Sequence, residues 1–437
     1  MPERGFSGQG PWHDAYFDSG DYRYLAEHFF GVPHDLSTYA EDFREMWGKF
    51  LDQVAFRDLG VGAYGLALKA LDFPVESAFS VSLKFFLVLS YVLFFLFAKR
   101  RFGLPLATVA LALLALPPTH WLLTEELMSE GFLRIFFVLL LFPALALRRD
   151  FRNALPCALG AVLLLLFVAH FKVQWMLLGF LLLPALLVPF LLTRRFRAAA
   201  LVTLCILAIP ASLSFVHYSG WGDARVIQGS GLHAMWKTDG QNLAYACEQG
   251  FFKGYEPTFC RTQKYHYGNW GHFVSMQDPA QDLQQLTRDL DRASMQYFLE
   301  RPHEMLREFL RALFASTSFA GWGEGLGNAR LFLDIAGALL LLIGLTRRES
   351  FLLSSIALGL WVIPAIGAVF APFEIRYLRP MAGIPLVAAL FVLSRVALLS
   401  CLNSIFMVLY HDAKILAAHA ISVPRNCIHP LRSALPL

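Results

Sequence analysis

Charge is scarce in this chain. Only 16% of its 437 residues are Asp, Glu, Lys or Arg, and 57% are apolar. Soluble domains are typically about 25% charged and about 45 to 50% apolar. The composition therefore excludes an ordinary soluble domain. The net charge of +4 says little by itself, because in a membrane protein the position of the basic residues matters more than their sum.

Several chemical signatures are missing as well. The chain has no GxxxxGK phosphate loop, so a nucleotide is not expected as a direct substrate. None of its six cysteines has metal-site spacing with nearby histidines. We find no internal repeat and no low-complexity tract. The sequence thus gives no reason to expect a nucleotide-driven enzyme, a zinc protein or a repeat array.

Long apolar runs are what the chain has in abundance. A helix of about 20 apolar residues crosses a bilayer, and these runs lack the alternation of a membrane barrel. We therefore predict an all-α, multi-spanning membrane protein with about nine transmembrane helices and a small extracytoplasmic segment of mixed structure. The nine candidate spans are 80–98, 104–118, 127–147, 154–170, 175–192, 198–216, 329–346, 351–371 and 380–399.

Basic residues mark alternate loops between these spans. Eleven lie in the loops after the first, third, fifth and seventh spans, against three in the other short loops, which are Lys172, Arg376 and Arg379. The positive-inside rule makes the arginine-rich loops cytoplasmic. Residues 1–79 and 217–328 are then extracytoplasmic, and we predict a plasma (inner) membrane protein. Met1 to Gly31 contains no apolar stretch that would export this first loop. Either the chain inserts with its N-terminus outside, or a further span precedes the first residue, and we expect the latter.

The predicted organisation has five parts. Residues 1–79 form a first outer loop with amphipathic helices, 80–216 six transmembrane helices, 217–328 an outer loop domain, 329–411 three to four further spans, and 412–437 a cytoplasmic tail. Residues 217–280 favour irregular loops with some short strands, whereas 281–316 favour two amphipathic helices along the membrane surface, interrupted at Arg301 and Pro302. Cys247 and Cys260 are the only cysteines of the exported loop, so we expect a disulfide between them.

Two carboxylates and a lysine are candidate site residues. If the segment around Asp18 is helical, Asp18, Tyr22 and Ala26 share one face of the helix. The alternative to a functional site is an amphipathic surface helix whose acidic side chains are solvated. Glu130 lies within a span, where a charged group is costly. Arg134 is four residues further on, so the two side chains could form an ion pair. Glu130 could also lie near a substrate, and the two roles are compatible. Lys172 lies in a short outer loop, where it either binds a phosphate or extends to the interface as a snorkelling lysine.

The segment FEIRYLRP, residues 373–380, occupies the last outer loop. Arg376 and Arg379 could clamp a phosphodiester through their planar guanidinium groups, or they could contact anionic lipid headgroups. On the predicted topology Asp18, Glu130, Lys172 and Arg376 all fall at the outer membrane surface. Carboxylates and cations at one boundary between water and lipid predict a site for an amphiphilic, phosphate-bearing substrate.

The order of these motifs resembles that of the GT-C membrane glycosyltransferases, which include protein O-mannosyltransferases and the lipid A aminoarabinose transferase. The resemblance covers most of residues 16–395. It departs from the family where Ser19 replaces a second acidic residue and where a first span is lacking. The matching positions are Asp18, Tyr22, Ala26, Arg57, Gly60 to Tyr64, Ser129, Glu130, Lys172, FLERPHEML, Arg376, Tyr377 and Pro380.

The resemblance implies inverting transfer of a sugar from a polyprenyl-phosphate donor to an extracytoplasmic lipid, glycan or protein acceptor. Asp18 would be the general base, and Glu130 would orient the acceptor or help to hold a divalent ion. Lys172 and Arg376 would neutralise the leaving phosphate, with Tyr22, Tyr377 and Arg379 as further substrate-binding residues. No cofactor is required, although a divalent cation is possible. Membrane lipids are expected partners and nucleic acid is not.

Two other functions fit parts of the pattern. An O-antigen ligase or polysaccharide polymerase would instead use residues of the large outer loop, namely His233, Arg261, His266 and His272. A lipid or solute transporter would carry its charges near the bilayer midplane and would show related halves. Here the charges gather at one surface and no internal symmetry is visible.

Overall fold

A computed structural model of the chain describes residues 60, 61, 64, 68, 75–116, 129–148, 150–221, 224–226, 245, 247–250, 283–315, 327–370 and 379–395. The chain divides into two compact units, 1–389 and 390–437. Only the first is discussed below. Within the described ranges the protein consists of helices and turns, with no strand.

Six helices follow one another in the first half of the chain. Each coincides with an apolar run, as expected in lipid, where a backbone without water must satisfy its polar groups inside the helix. The helices are α1 (Val75–Phe102), α2 (Leu104–Ala115), α3 (Ser129–Ala146), α4 (Ala154–Phe171), α5 (Met176–Leu192) and α6 (Phe196–Trp221).

Five further helices occupy the second half. They are α7 (Leu283–Leu299), α8 (Pro302–Ala315), α9 (Gly327–Leu345), α10 (Phe351–Phe370) and α11 (Ile384–Arg395). Short 3-10 turns precede α5 at Val173–Trp175 and α11 at Arg379–Met381. The predicted break at Arg301 and Pro302 is confirmed, because α7 ends at Leu299 and α8 begins at Pro302.

The protein is a helical membrane protein. Five apolar helical segments of the described chain are long enough to cross a bilayer, which are Ala78–Phe102, Ser129–Ala146, Ala154–Phe171, Val173–Leu192 and Phe196–Tyr218. The other four predicted spans coincide with shorter apolar stretches at Leu104–Ala115, Ile335–Leu345, Phe351–Gly367 and Ile384–Arg395. Nine complete spans therefore remain a prediction.

Consecutive helices joined by short loops pack against each other, so their connecting loops fall alternately at two ends of the bundle. The pairs α1 and α2, α3 and α4, α5 and α6, and α9 and α10 are such neighbours. The loops inside these pairs carry the arginines, and we call the end that they form the basic end. Every described Lys or Arg side chain of these loops is exposed. Most side chains of α3 are buried, which makes it a central element of the bundle.

Helix α2 is too short to reach across the bundle. Its 12 residues span about 18 Å at 1.5 Å per residue, and Leu114 in its last turn is fully buried. Unpaired carbonyls in an apolar interior are costly. The end of α2 therefore needs hydrogen-bond donors from elsewhere in the chain, and it obtains one from α3.

The two amphipathic helices, α7 and α8, lie next to the apolar helices, and α8 packs against α10. Ala312 of α8 forms a small buried cluster with Ala365, near the end of α10 that is remote from the basic end. Arg225, just after α6, forms an ion pair of 2.9 Å with Asp291 of α7. These two contacts fix α7 and α8 beside the end of the bundle opposite to the basic end. Their predicted position along the membrane surface stays a prediction.

Candidate functional site at the end opposite to the basic end

Glu130 and Lys172 form an ion pair at the end of the bundle opposite to the basic end. The Nζ atom of Lys172 lies 2.7 Å from Oε1 of Glu130. The side chain of Glu130 is 1% exposed and that of Lys172 is 15% exposed. The hydroxyl of Ser129 donates a hydrogen bond of 3.2 Å to the other carboxylate oxygen of Glu130. The lysine is therefore largely buried against a carboxylate.

The antiparallel arrangement of α3 and α4 brings this pair together. Glu130 lies in the first turn of α3, and Lys172 directly follows the last residue of α4. The two helices are joined at the basic end, so the start of one and the end of the other meet at the far end. Lys172 is extended, and the 3-10 turn at Val173–Trp175 leads at once into α5. The predicted short loop at Lys172 is confirmed.

Aromatic side chains hold the register of the two helices beside the pair. Phe132, two residues after Glu130, lies against Phe171, the residue before Lys172, with ring centroids 4.4 Å apart. Tyr64 packs edge-on against Phe132 at 4.8 Å and donates a hydrogen bond of 2.7 Å to Ser82 on α1. Sliding α3 along α4 would break these contacts, so the aromatic cluster helps to fix the distance between carboxylate and ammonium.

Gly60 makes the closest approach to this cluster. A Cβ atom added at Gly60 would lie 2.7 Å from the ring of Phe171, a distance that side chains do not normally tolerate. Gly60 therefore lies directly against the last residue of α4. Gly60 also begins the part of the sequence, Gly60 to Tyr64, that contributes to the GT-C resemblance.

Arg134, one turn below Glu130, has a different role from the ion pair considered above. Its side chain is fully buried. Its Nε donates to the hydroxyl of Tyr91 at 3.1 Å, and Nη2 donates to the carbonyl of Leu114 at 2.8 Å. Its Nη1 donates to the carbonyls of Pro380, at 3.1 Å, and Ala382. Within the described chain it forms no ion pair with Glu130, whose described cationic partner is Lys172.

The carbonyl groups bound by Arg134 come from two distant segments. Leu114 lies in the last turn of α2, where the helix dipole is negative and a cation is favoured. Pro380, the last residue of FEIRYLRP, and Ala382 belong to the turn Arg379–Gly383. Gly383 in this turn has a φ of +75°, and a Cβ there would collide with the carbonyl oxygen of Leu113. The turn and the end of α2 thus meet backbone to backbone, with the guanidinium group of Arg134 bridging them.

Most other predicted site residues lie outside the described ranges. These are Asp18, Tyr22, Arg376, Tyr377 and Cys260. Arg379 begins a 3-10 turn, and its own side chain lies outside the described part of the structure. Cys247 is disulfide-bonded, and its pairing with Cys260 stays a prediction. The structure therefore brings together Glu130, Lys172 and the end of FEIRYLRP, and it leaves the position of Asp18 open.

A second polar cluster surrounds Arg301, between α7 and α8. Its guanidinium carbon lies 4.0 Å from the ring centroid of Tyr297 and 5.5 Å from that of Tyr245. The hydroxyl of Tyr245 donates to Glu300 at 2.6 Å. This hydrogen bond, together with one from Gln296, lowers the pKa of Glu300, whereas burial raises the pKa of Tyr245. The cluster fixes the angle between the two helices at FLERPHEML.

Comparisons with known proteins add no family. No family model matches the chain, and no curated protein or solved structure is significantly similar to it. Among the described residues no group of three or more His, Cys, Asp or Glu side chains could hold a metal ion. The functional argument therefore rests on the geometry of the chain itself.

Sequence reasoning missed the roles of Arg134 and Arg301. Arg134 was considered only as a partner of Glu130, because spacing along one helix shows only the neighbours on that helix. One available signal was the short apolar run at 104–118, since a helix too short to span leaves carbonyl groups in need of a donor. The tyrosines that flank Arg301 are separated by about 50 residues of sequence, and no local pattern connects them.

Proposed function

We propose that the chain is a membrane glycosyltransferase that moves a sugar from a polyprenyl-phosphate donor to an acceptor at the extracytoplasmic face. The observation that supports this best is the Glu130–Lys172 pair. A cation that is largely buried, held by a carboxylate and remote from the arginine-rich loops suits a phosphate group at the boundary between water and lipid. The end of FEIRYLRP lies at the same end of the bundle, joined to α3 through Arg134.

The proposed reaction is a single displacement at the anomeric carbon. An oxygen of the acceptor attacks this carbon and forms the new glycosidic bond, while the bond from the carbon to the phosphate oxygen breaks. The electron pair of that bond leaves with the lipid phosphate, and the proton of the acceptor passes to Asp18. Lys172 and Arg376 stabilise the negative charge that gathers on the phosphate.

Glu130 has two effects in this proposal. Its negative charge holds the ammonium group of Lys172 in position before the donor arrives. A phosphate that enters the site then shares the ammonium group with a carboxylate that is already in place, so no flexible lysine has to be ordered during binding. Glu130 thus positions the cation and is near enough to the donor to orient an acceptor.

A transfer assay tests the proposal. Membranes that contain the full-length chain are incubated with a panel of radiolabelled polyprenyl-phosphate sugars, and the label is followed into lipid, glycan and protein fractions. We expect one label to move, and we expect Asp18→Ala to abolish the transfer in a correctly inserted protein. Full activity of Asp18→Ala would exclude this mechanism, and it would favour an enzyme that uses histidines of the large outer loop.

A further inference from the structure

The Arg134 guanidinium group connects three parts of the chain that are far apart in sequence. We propose that Arg134 is a positioning residue for the proposed site: it fixes the turn Arg379–Gly383, at the end of FEIRYLRP, against the end of α2, and its replacement weakens binding of the donor phosphate. This inference rests on the proposed function, because it assigns the last outer loop to the binding of the donor phosphate.

The chemistry of arginine explains why this residue type stands here. The guanidinium group has five N–H donors in a rigid plane and no acceptor. Here these donors serve three carbonyl groups and one phenol: Leu114, Pro380, Ala382 and Tyr91. Lysine has the same charge but presents its donors from a single nitrogen atom, so it cannot bridge α2 and the turn in the same way.

One turn of α3, from Glu130 to Arg134, contacts both parts of the chain that are assigned to the proposed phosphate site. Glu130 and Arg134 are one turn apart on α3, so their positions along the helix axis differ by about 6 Å. Glu130 holds Lys172 at 2.7 Å, and Arg134 holds Pro380, the last residue of FEIRYLRP, at 3.1 Å. Helix α3 is therefore the common support of the two outer segments that are predicted to carry the cations.

Gly383 supplies an independent way to move the same turn. Its φ of +75° and its close approach to Leu113 leave no room for a Cβ atom. The substitution Gly383→Ala therefore displaces the turn without removing a charge or a hydrogen-bond donor. Tyr91→Phe is the matched control, because it removes one acceptor of Arg134 but leaves the three carbonyl hydrogen bonds.

The test uses full-length protein in lipid nanodiscs, as wild type and as Arg134→Lys, Gly383→Ala and Tyr91→Phe. Hydrogen exchange of the peptide 379–389 reports the order of the turn, and binding of radiolabelled polyprenyl phosphate, expressed per folded protein, reports the site. We expect Arg134→Lys and Gly383→Ala to exchange faster and to bind at least fivefold more weakly, with Tyr91→Phe close to wild type.

The outcomes separate this inference from the proposed function. Unchanged exchange in Arg134→Lys, faster exchange with unchanged affinity, or no binding by the wild type each overturns the inference. If the wild type binds polyprenyl phosphate but transfers no sugar, the proposed function fails. The positioning role of Arg134 then still stands if its substitution weakens binding.

Discussion

Two ion pairs at opposite ends of the bundle show how differently this chain uses charge. At the basic end Arg152 and Asp150 lie 3.1 Å apart with side chains that are 80% and 50% exposed. At the other end Lys172 and Glu130 lie 2.7 Å apart and are 15% and 1% exposed. The first pair is solvated and contributes little to stability. The second pair has lost most of its water, so each partner depends on the other.

The comparison distinguishes charges that orient the protein in the membrane from charges that are candidates for a function. Basic residues at one end are exposed and numerous, as the positive-inside rule requires of cytoplasmic loops. At the proposed site, by contrast, the described cations Lys172 and Arg134 are largely or fully buried, and each has specific partners. Burial of Lys172 costs desolvation free energy, and the positive-inside rule does not call for a lysine in this loop. Lys172 is therefore a candidate for binding or catalysis.

The substitution Glu130→Leu is the strongest way to break the comparison. It removes the Glu130 carboxylate from the largely buried Lys172 ammonium group, and removal of one partner of a buried pair costs about 3 to 5 kcal/mol. Asp150→Leu, the control at the basic end, is expected to change the free energy of unfolding by less than about 0.5 kcal/mol. Unfolding in mixed micelles measures both. Equal losses at the two ends would contradict the distinction drawn here.

A double-mutant cycle sharpens the same point. We expect Glu130→Gln and Lys172→Met together to cost less than the sum of the single substitutions, with a coupling of about 1 to 3 kcal/mol. The cycle of Asp150→Asn and Arg152→Met should give at most about 0.5 kcal/mol. Additive effects at Glu130 and Lys172 would mean that their contact contributes nothing to stability.

Gly60→Ala tests the packing beneath the buried pair. The new methyl group meets the ring of Phe171, and overpacking of this kind costs about 1 to 3 kcal/mol. Gly160→Ala is the matched control in the interior of α4, where nothing lies within 4 Å of the added Cβ. It should be neutral or stabilising by up to about 1 kcal/mol. The prediction fails if Gly60→Ala is as stable as Gly160→Ala.

The smallest expected effect concerns pH. The pKa of Glu300 is lowered by hydrogen bonds from Tyr245 and Gln296. The stabilisation from these bonds is therefore present above the unfolded value of 4.5 and is lost as the pH falls through the lower, folded value. Tyr245→Phe should reduce the difference in melting temperature between pH 6 and pH 3. An identical pH dependence in this variant would show that the hydrogen bond does not hold Glu300 ionised.

Hydropathy predicted apolar helices, because a run of apolar residues in lipid has helix as its main solution, and five of them in the described chain are long enough to cross a bilayer. It could not show which donors pair with the last carbonyl groups of α2, because the length of an apolar run does not identify its neighbours in space. The topology placed Glu130 and Lys172 at one end, and the 2.7 Å contact agrees with that placement. The partners of Arg134 were not predictable, because they are three backbone carbonyls and one phenol from segments between 20 and about 250 residues away.

The central claim is that Lys172 binds a lipid phosphate. The most direct test compares the affinity of wild type, Lys172→Met and Arg152→Met for radiolabelled polyprenyl phosphate, with each protein first shown to be folded and monodisperse in nanodiscs. We expect Lys172→Met to bind at least tenfold more weakly, whereas Arg152→Met binds like wild type. Equal affinity of wild type and Lys172→Met would contradict the account.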